Sequence, residues 1–160
     1  MKNLTIRVVK TEPELAAMLH QRWLVLRKPL GMPRGTESDR YDGNALHVIA
    51  VNSDPAVSAS QSLLQPVIGS ARLRELSPGV GSIAYVAVLP EFQHQGIGSA
   101  LIQHLIELAK EQSFSQLRVM ARASVIRFYQ RFGFVARAET VNYLGTPHRF
   151  MDLNLNGEAG

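Results

Sequence analysis

The sequence contains no cysteine. This excludes disulfides, thiolate zinc sites and a cysteine nucleophile. It holds one Trp, and aromatic residues make up 7% of the chain, so no aromatic platform for stacking on nucleic-acid bases is evident. Charge of neither sign dominates: 17 basic and 13 acidic residues leave a net +4, which favours an anionic ligand without demanding nucleic acid. No apolar run approaches the roughly 18 residues that cross a bilayer, and the N-terminus, MKNLTIRVVK, lacks the apolar stretch of a signal peptide. A cytoplasmic protein with no membrane, nucleic-acid or metal partner is the expectation. No internal repeat is visible. Residues 1–160 are expected to form one domain, since a chain of this length can bury a single core.

What is present is an alternation of strand and helix patterns. LTIRVV (Leu4 to Val9) alternates like a strand. TEPE (Thr11 to Glu14) joins an N-cap, a Pro and first-turn acids, and starts a helix expected to run towards Leu30. GMPRGTESDRYDG (Gly31 to Gly43) reads as a polar loop, and ALHVIAV (Ala45 to Val51) as a strand. NSDPAVSASQSLLQ (Asn52 to Gln65) reads as a surface loop. PVIGSARLREL and GSIAYVAVL flank an SPG turn and read as an antiparallel hairpin.

A long helix follows to about Gln112, with Ile97, Leu101, Ile102, Leu105, Ile106, Leu108 and Ala109 forming one stripe. QLRVMA is a strand, SVIRFYQRF a short helix stopped by Gly133, and FVAR and HRFMDLNL are closing strands. Hairpins mixed with crossovers predict an α/β (α+β) fold. Its centre would be a mixed, mostly antiparallel twisted sheet of about six to seven strands flanked by helices.

The most specific stretch is PEFQHQGIGSALIQHLIELAK (Pro90 to Lys110), a Gly-x-Gly turn between a strand and a helix. Unpaired backbone N–H groups and the helix dipole suit such a junction to a phosphate. The alternative is a tight strand-to-helix turn that binds nothing. A dinucleotide fingerprint fails, because Leu101 stands where the third glycine would be and no acid follows at the required distance. A P-loop fails as well, since Gly98-Ser99-Ala100 replaces Gly-Lys-Ser/Thr.

Gln93-His94-Gln95-Gly96-Ile97-Gly98, preceded by VAVLPEF, fits Gln/Arg-x-x-Gly-x-Gly/Ala, and SVIRFYQRFGF (Ser124 to Phe134) follows downstream. Together they resemble the two signature motifs of the GNAT superfamily of acyl-CoA-dependent N-acyltransferases, over Ile68 to Val135. The first 65 residues match that superfamily only in their order of helix and strand.

The resemblance implies acetyl-CoA as co-substrate and no metal. It places the coenzyme's pyrophosphate on backbone N–H groups of Gln93, His94, Gln95, Gly96, Ile97 and Gly98, with the Ser99 hydroxyl in reach. Val86 and Val88 would pair with the pantetheine arm, which is amide-rich and can add like a strand; Ser124 and Tyr129 complete the implied coenzyme contacts. For this the sheet must splay between Tyr85–Leu89 and Leu117–Ala121. The implied reaction is direct attack of a primary amine on a thioester, with Val88 N–H as oxyanion donor and Tyr129 as general acid. Tyr129 otherwise reads as a core aromatic beside Phe128 and Phe132.

A Glu that some family members carry in this strand is replaced by Ser82. Glu75 and His47 are candidate bases through water; as bland alternatives, Glu75 is a solvated hairpin charge and His47 a satisfied strand residue. Arg118, Arg122, Arg127, Arg131 and Arg137 form a basic stretch without an acid among them, either meeting the coenzyme's 3′-phosphate or lying solvated on a helix face. Trp23 reads as a core or cleft-edge residue. Arg34, Glu37, Asp39 and Tyr41 are candidate contacts to a small-molecule or peptide amine. The acceptor's identity and a homodimer stay open, as does a non-catalytic acyl-CoA sensor that binds without turnover.

Overall fold

The computed structural model describes residues 3–52 and 66–156. The stretch expected to be a Ser- and Pro-rich surface loop falls at 53–65, outside the described residues apart from Asn52. The strands are β1 (Leu4–Val8), β2 (Leu46–Asn52), β3 (Val67–Ser77), β4 (Val80–Val88), β5 (Gln116–Arg122), β6 (Val135–Ala136), β7 (Val141–Tyr143) and β8 (Thr146–Asn154). The helices are α1 (Glu12–Leu26), α2 (Ile97–Glu111) and α3 (Ile126–Gln130). They build one mixed sheet of 8 strands in the order β1-β2-β3-β4-β5-β8-β6, with β7 also on β8. Every pairing is antiparallel except β4 with β5.

The sequence reading gave seven strands; the additional one, β7, hairpins onto β8 with Tyr143 opposite Thr146. Its three residues are too few to show a period of two. The first helix stops at Leu26 rather than Leu30. Pro29 has no N–H for an α-helical bond, so the chain closes a 3-10 turn over Lys28–Leu30 and leaves through Gly31.

β2 shows how the layers arise. Val48 and Ala50 pack into the core under α2, whereas Ile49 and Val51 join Met18 beneath α1. The unbroken apolar run from Val48 to Val51 is thus buried on both faces. The stripe on α2 supplies Ile97, Leu101, Ile102, Leu105, Ile106 and Ala109 to that core, each large aliphatic contributing about 2 kcal/mol of burial.

α1 is different. It is N-capped by Thr11, which accepts from Glu14 N–H at 3.2 Å, while Glu14 Oε1 accepts from Lys10 N–H at 2.8 Å. Its buried residues are Met18, Gln21 and Arg22, because it covers the face of β3 that carries Ser70 and Arg72. Gln21 receives the Ser70 hydroxyl and donates to the Ala87 carbonyl at 3.1 Å.

Candidate functional site

β4 and β5 pair only from Val80–Gln116 to Ile83–Val119. β4 continues to Val88 and β5 to Arg122, so the two strands part over Ala84–Val88. On its other side β4 stays paired with β3, and its register steps from Arg72–Ala84 to Ser70–Ala87. One β3 residue, Ala71, therefore opposes two, Tyr85 and Val86, which is a β-bulge. Tyr85 carries it at φ 58°.

Leu89 N–H donates to the Ile68 carbonyl of β3 at 2.9 Å. Since backbone groups alternate along a strand, the N–H groups of Val86 and Val88 point the other way, into the opening. The Val88 carbonyl accepts from the Gln93 side-chain amide at 3.0 Å.

The turn after β4 opens α2 without a capping side chain. Gly96 is its N-cap, at φ 86°, a left-handed conformation that costs any residue with a Cβ. Space around a Gly96 Cβ is empty to 4 Å, and a Gly98 Cβ would touch the Phe128 ring at 3.6 Å. His94 adds a second left-handed residue, at φ 63°. The first intrahelical bond is Ala100 N–H to the Gly96 carbonyl, at 3.0 Å. The N–H groups of Ile97, Gly98 and Ser99 precede it and have no intrahelical acceptor. Gln93, His94, Gln95 and Gly96 are exposed around them. This arrangement suits a diphosphate, and the residues present fit an acyl-CoA.

α3 packs against this turn through Phe128, near Gly98, and the next residue is Tyr129. Its ring is buried, edge-on to Phe128 at 5.1 Å and to Phe134 at 5.6 Å. Its hydroxyl makes no hydrogen bond to another described residue, and burial pushes the phenol above its ordinary pKa. Ser124 is exposed in the 3-10 turn that leads into α3.

Of the two candidate bases, one is remote from the opening and the other is engaged on both sides of its ring. Glu75 pairs with Gly81, at the opposite end of β4 from Val88, and is exposed. His47 is buried, its Nε2–H donating to the Asp42 carbonyl at 2.9 Å and its Nδ1 accepting from Arg22 at 3.3 Å. Burial, reinforced by the nearby cations Arg22 and Arg72, outweighs the Asp42 contacts and lowers its pKa. The ring is neutral with both nitrogens occupied. Ser82 sits in the paired part of β4, opposite Arg74 and Arg118.

Between α1, the 31–43 loop and the bulge lies a polar network that sequence reasoning largely missed. Arg22, wholly buried, donates to Asp42 at 3.1 Å and to the Glu37 carbonyl at 3.1 Å. Arg72 bridges Asp39 at 2.6 Å and Asp42 at 2.9 Å. Both guanidinium groups lie over the Tyr85 ring, at 4.2 and 4.8 Å from its centroid. The Tyr85 hydroxyl donates to Asp39 at 3.1 Å. Burial, with the Asp39 charge and that hydrogen bond, pushes the phenol up to about 12. Burial alone would raise Asp39, yet hydrogen bonds from Arg72, Tyr41 N–H and Tyr85 hold it below its ordinary value.

Of the expected acceptor contacts, Asp39 belongs to this network. Glu37 is spent on its own loop, accepting from Gly35 N–H at 2.7 Å. Arg34 stacks over Trp23 at 5.5 Å, and Tyr41 lies at the surface beneath Arg74 at 3.7 Å. The signal available for the network was Gln21 and Arg22 on an otherwise apolar helix face, with Arg72 in an apolar strand.

The basic stretch also changes in space. Arg118 and Arg137 both bind Asp152, at 3.0 and 2.8 Å, because β8 lies beside both β5 and β6 and brings in an acid remote in sequence. No group of three or more His, Asp or Glu suited to a metal occurs among the described residues, and no helix among them is long and apolar enough to cross a membrane.

The fold recurs in known proteins. An acyl-CoA N-acyltransferase of Pseudomonas aeruginosa has a solved structure that is 24% identical, covers 93% of this chain and 97% of its own, and superposes with a TM-score of 0.75. A GNAT family acetyltransferase of Elizabethkingia anophelis, solved with acetyl-CoA bound, is 19% identical, with coverage of 96% and 99% and a TM-score of 0.66. A Bacillus subtilis protein bearing an acetyltransferase name is 22% identical, over 92% of this chain and 95% of its own. The model of the acetyltransferase (GNAT) family matches residues 15–134, which take in most of α1, the β4–β5 opening, the uncapped turn and α3. The chain therefore belongs to the GNAT family of acetyltransferases, and its general class is acyl-CoA N-acetyltransferase.

Proposed function

We propose that this protein transfers an acetyl group from acetyl-CoA to a primary amine by direct attack. The observation that carries the reading is the parting of β4 from β5 beside an uncapped helix N-terminus. One feature offers outward backbone groups to an extended amide chain, the other unpaired N–H groups to a diphosphate. The acetyl-CoA found in the Elizabethkingia structure supports the same ligand here. GNAT acetyltransferases act in general on small-molecule or peptide amines, so an acceptor of that class is expected.

Acetyl-CoA, when bound, supplies the activated acyl group. The backbone N–H groups of Gln93 to Gly98, with Ser99, would hold its diphosphate; Val86 and Val88 would hold the pantetheine arm; Ser124 lies near enough in the chain to Tyr129 to take part. The Val88 N–H is free to meet negative charge developing on an acyl oxygen. The Tyr129 phenol, kept protonated by burial, can give its proton to a departing sulfur. In this reading Glu75, at the opposite end of β4, and His47, with both ring nitrogens engaged, take no part, and the amine loses its proton to water.

Calorimetry with acetyl-CoA and CoA tests the binding, and thiol release across an amine panel tests the transfer. Uptake of acetyl-CoA without thiol from any amine would replace the enzyme by a sensor. No uptake by well-folded protein would sink both.

A further inference from the structure

Arg27 closes α1 as its C-cap and is buried, with 6% of its surface exposed. The buried guanidinium groups near it are balanced: Arg22 by Asp42, and Arg72 by Asp39 and Asp42. Arg27 is not. Among the described residues it forms no ion pair with a carboxylate. Its Nε donates to the Thr36 carbonyl at 3.0 Å, Nη1 to the Leu26 carbonyl at 3.3 Å, and Nη2 to the Tyr143 hydroxyl at 3.2 Å.

All three acceptors are neutral, and a guanidinium has five N–H groups. A donor on each Nη therefore remains. Because the Tyr143 oxygen accepts from Arg27, its own proton is free for another acceptor. A buried cation without an anion is costly, by several kcal/mol in general, and it is relieved when an anion arrives.

The position matters as much as the charge. Arg27 lies 5.7 Å from the centre of the Tyr85 ring, at the bulge where β4 leaves β5. Through Tyr143 it reaches from the end of α1 to β7, on the far side of that opening. If the coenzyme occupies the opening, as proposed above, an amine approaches its thioester past this bridge.

We infer that the acceptor is an amino acid, a primary amine bearing a free carboxylate, and that Arg27 with the Tyr143 hydroxyl receives the carboxylate. The inference rests on the acetyl-transfer reading, and Arg27 is here a specificity-determining group. A structural role, tying α1, the 31–43 loop and β7 together, explains the three bonds but not the unbalanced charge.

The test compares the standard amino acids with their carboxamides, which keep the amine and lose the anion. Thiol release from acetyl-CoA should favour the acids in kcat/KM by roughly tenfold or more, as expected for a hydrogen-bonded charge pair. This would run against chemistry, since the amine of a carboxamide is the less basic and so the more often unprotonated. Arg27→Gln should collapse the acid-to-amide ratio towards one, and Arg27→Lys should retain part of it. A purely structural Arg27 would lower both rates and leave the ratio unchanged. Carboxamides or simple amines equal to the acids with wild-type protein would overturn the inference without any variant. If acetyl-CoA binds but neither series releases thiol, acetyl transfer fails as a reading. Calorimetry of the same two series on CoA-loaded protein then decides the docking site by itself, and no selective uptake of acids overturns it.

Discussion

The Tyr85 hydroxyl donates to Asp39 Oδ2 at 3.1 Å, tying the bulge of β4 to the loop that follows α1. Asp39 also accepts from Arg72, so the bond joins three segments remote in sequence. Tyr85→Phe keeps the ring beneath Arg22 and Arg72 and removes only this hydrogen bond. It should lower unfolding stability by about 1–2 kcal/mol, read as a lower urea midpoint at unchanged slope. An unchanged midpoint would mean that the bond carries no weight in the fold.

Gly98 and Gly96 separate packing from binding. A Gly98 Cβ would meet the Phe128 ring at ordinary contact distance, and the Gly98 φ is not left-handed. Gly98→Ala should therefore fold, gaining up to about 1 kcal/mol of helix propensity. Alanine also satisfies the Gln/Arg-x-x-Gly-x-Gly/Ala pattern at this position, and its methyl would lie against Phe128, so CoA affinity should stay within about threefold of the parent's. Gly96→Glu acts more severely, placing a side chain and a negative charge in the left-handed cap, and should abolish CoA uptake. Melting curves alongside calorimetry check both; a folded Gly96→Glu protein that binds CoA as the parent does would remove the turn from the site.

Acid should destabilise the protein in two windows. His47 has a folded pKa below its ordinary 6.5. The unfolded chain then binds the proton first, and the stability present above about 6.5 declines as pH falls through that range. Glu14, held to about 2 chiefly by Arg7, with Lys10 and Thr11 N–H adding to it, contributes stability above its ordinary 4.5. That share is lost as pH falls from there towards 2, and amounts to on the order of 1 kcal/mol for a pair near the surface. Urea midpoints measured from pH 8 to pH 2.5 should show both declines, with Glu14→Gln reducing the lower one, to which Asp39 and Asp152 also contribute, and leaving the upper. A single decline below 4.5 would show that His47 protonates freely in the fold.

His47→Ala should act on stability rather than on the pH dependence of turnover. It strands the Asp42 carbonyl and an Arg22 N–H in a buried setting, a loss of about 2–4 kcal/mol. The ascending limb of the pH–rate profile should keep its midpoint. A limb that vanishes with the imidazole would make His47 the base after all.

What could be read from the residues alone was periodic or carried by a short motif. The stripe on α2, the hairpin of β3 and β4, and the glycine turn needed only neighbours within a few positions. Tyr85 was opaque for the opposite reason. Ile83 and Val86 both pack towards α2, and one extra residue between them lets Tyr85 face α1. A bulge is a relation between two strands, invisible in either one. Asp152 likewise neutralises Arg118 and Arg137 only because β8 lies between β5 and β6. Arg27 looked like any basic residue at a helix end, and its lack of a carboxylate among the described residues emerges only once the nearby acids have found other cations.

Tyr129 offers the most direct entry to mechanism, because its hydroxyl supports nothing else among the described residues. The ring packs against Phe128 and Phe134, and Tyr129→Phe preserves that packing. Stability should change by less than about 0.5 kcal/mol, and CoA affinity should stay near the parent's. Loss of a positioned acid should slow turnover about 100-fold. Since burial raises the phenol above its ordinary pKa near 10, the parent should show no fall in rate from Tyr129 until well into the alkaline range. Single-turnover rates for both proteins between pH 6 and 10 separate the cases. A Phe variant as fast as the parent would leave Tyr129 a core aromatic, and the departing sulfur would have to take its proton from water.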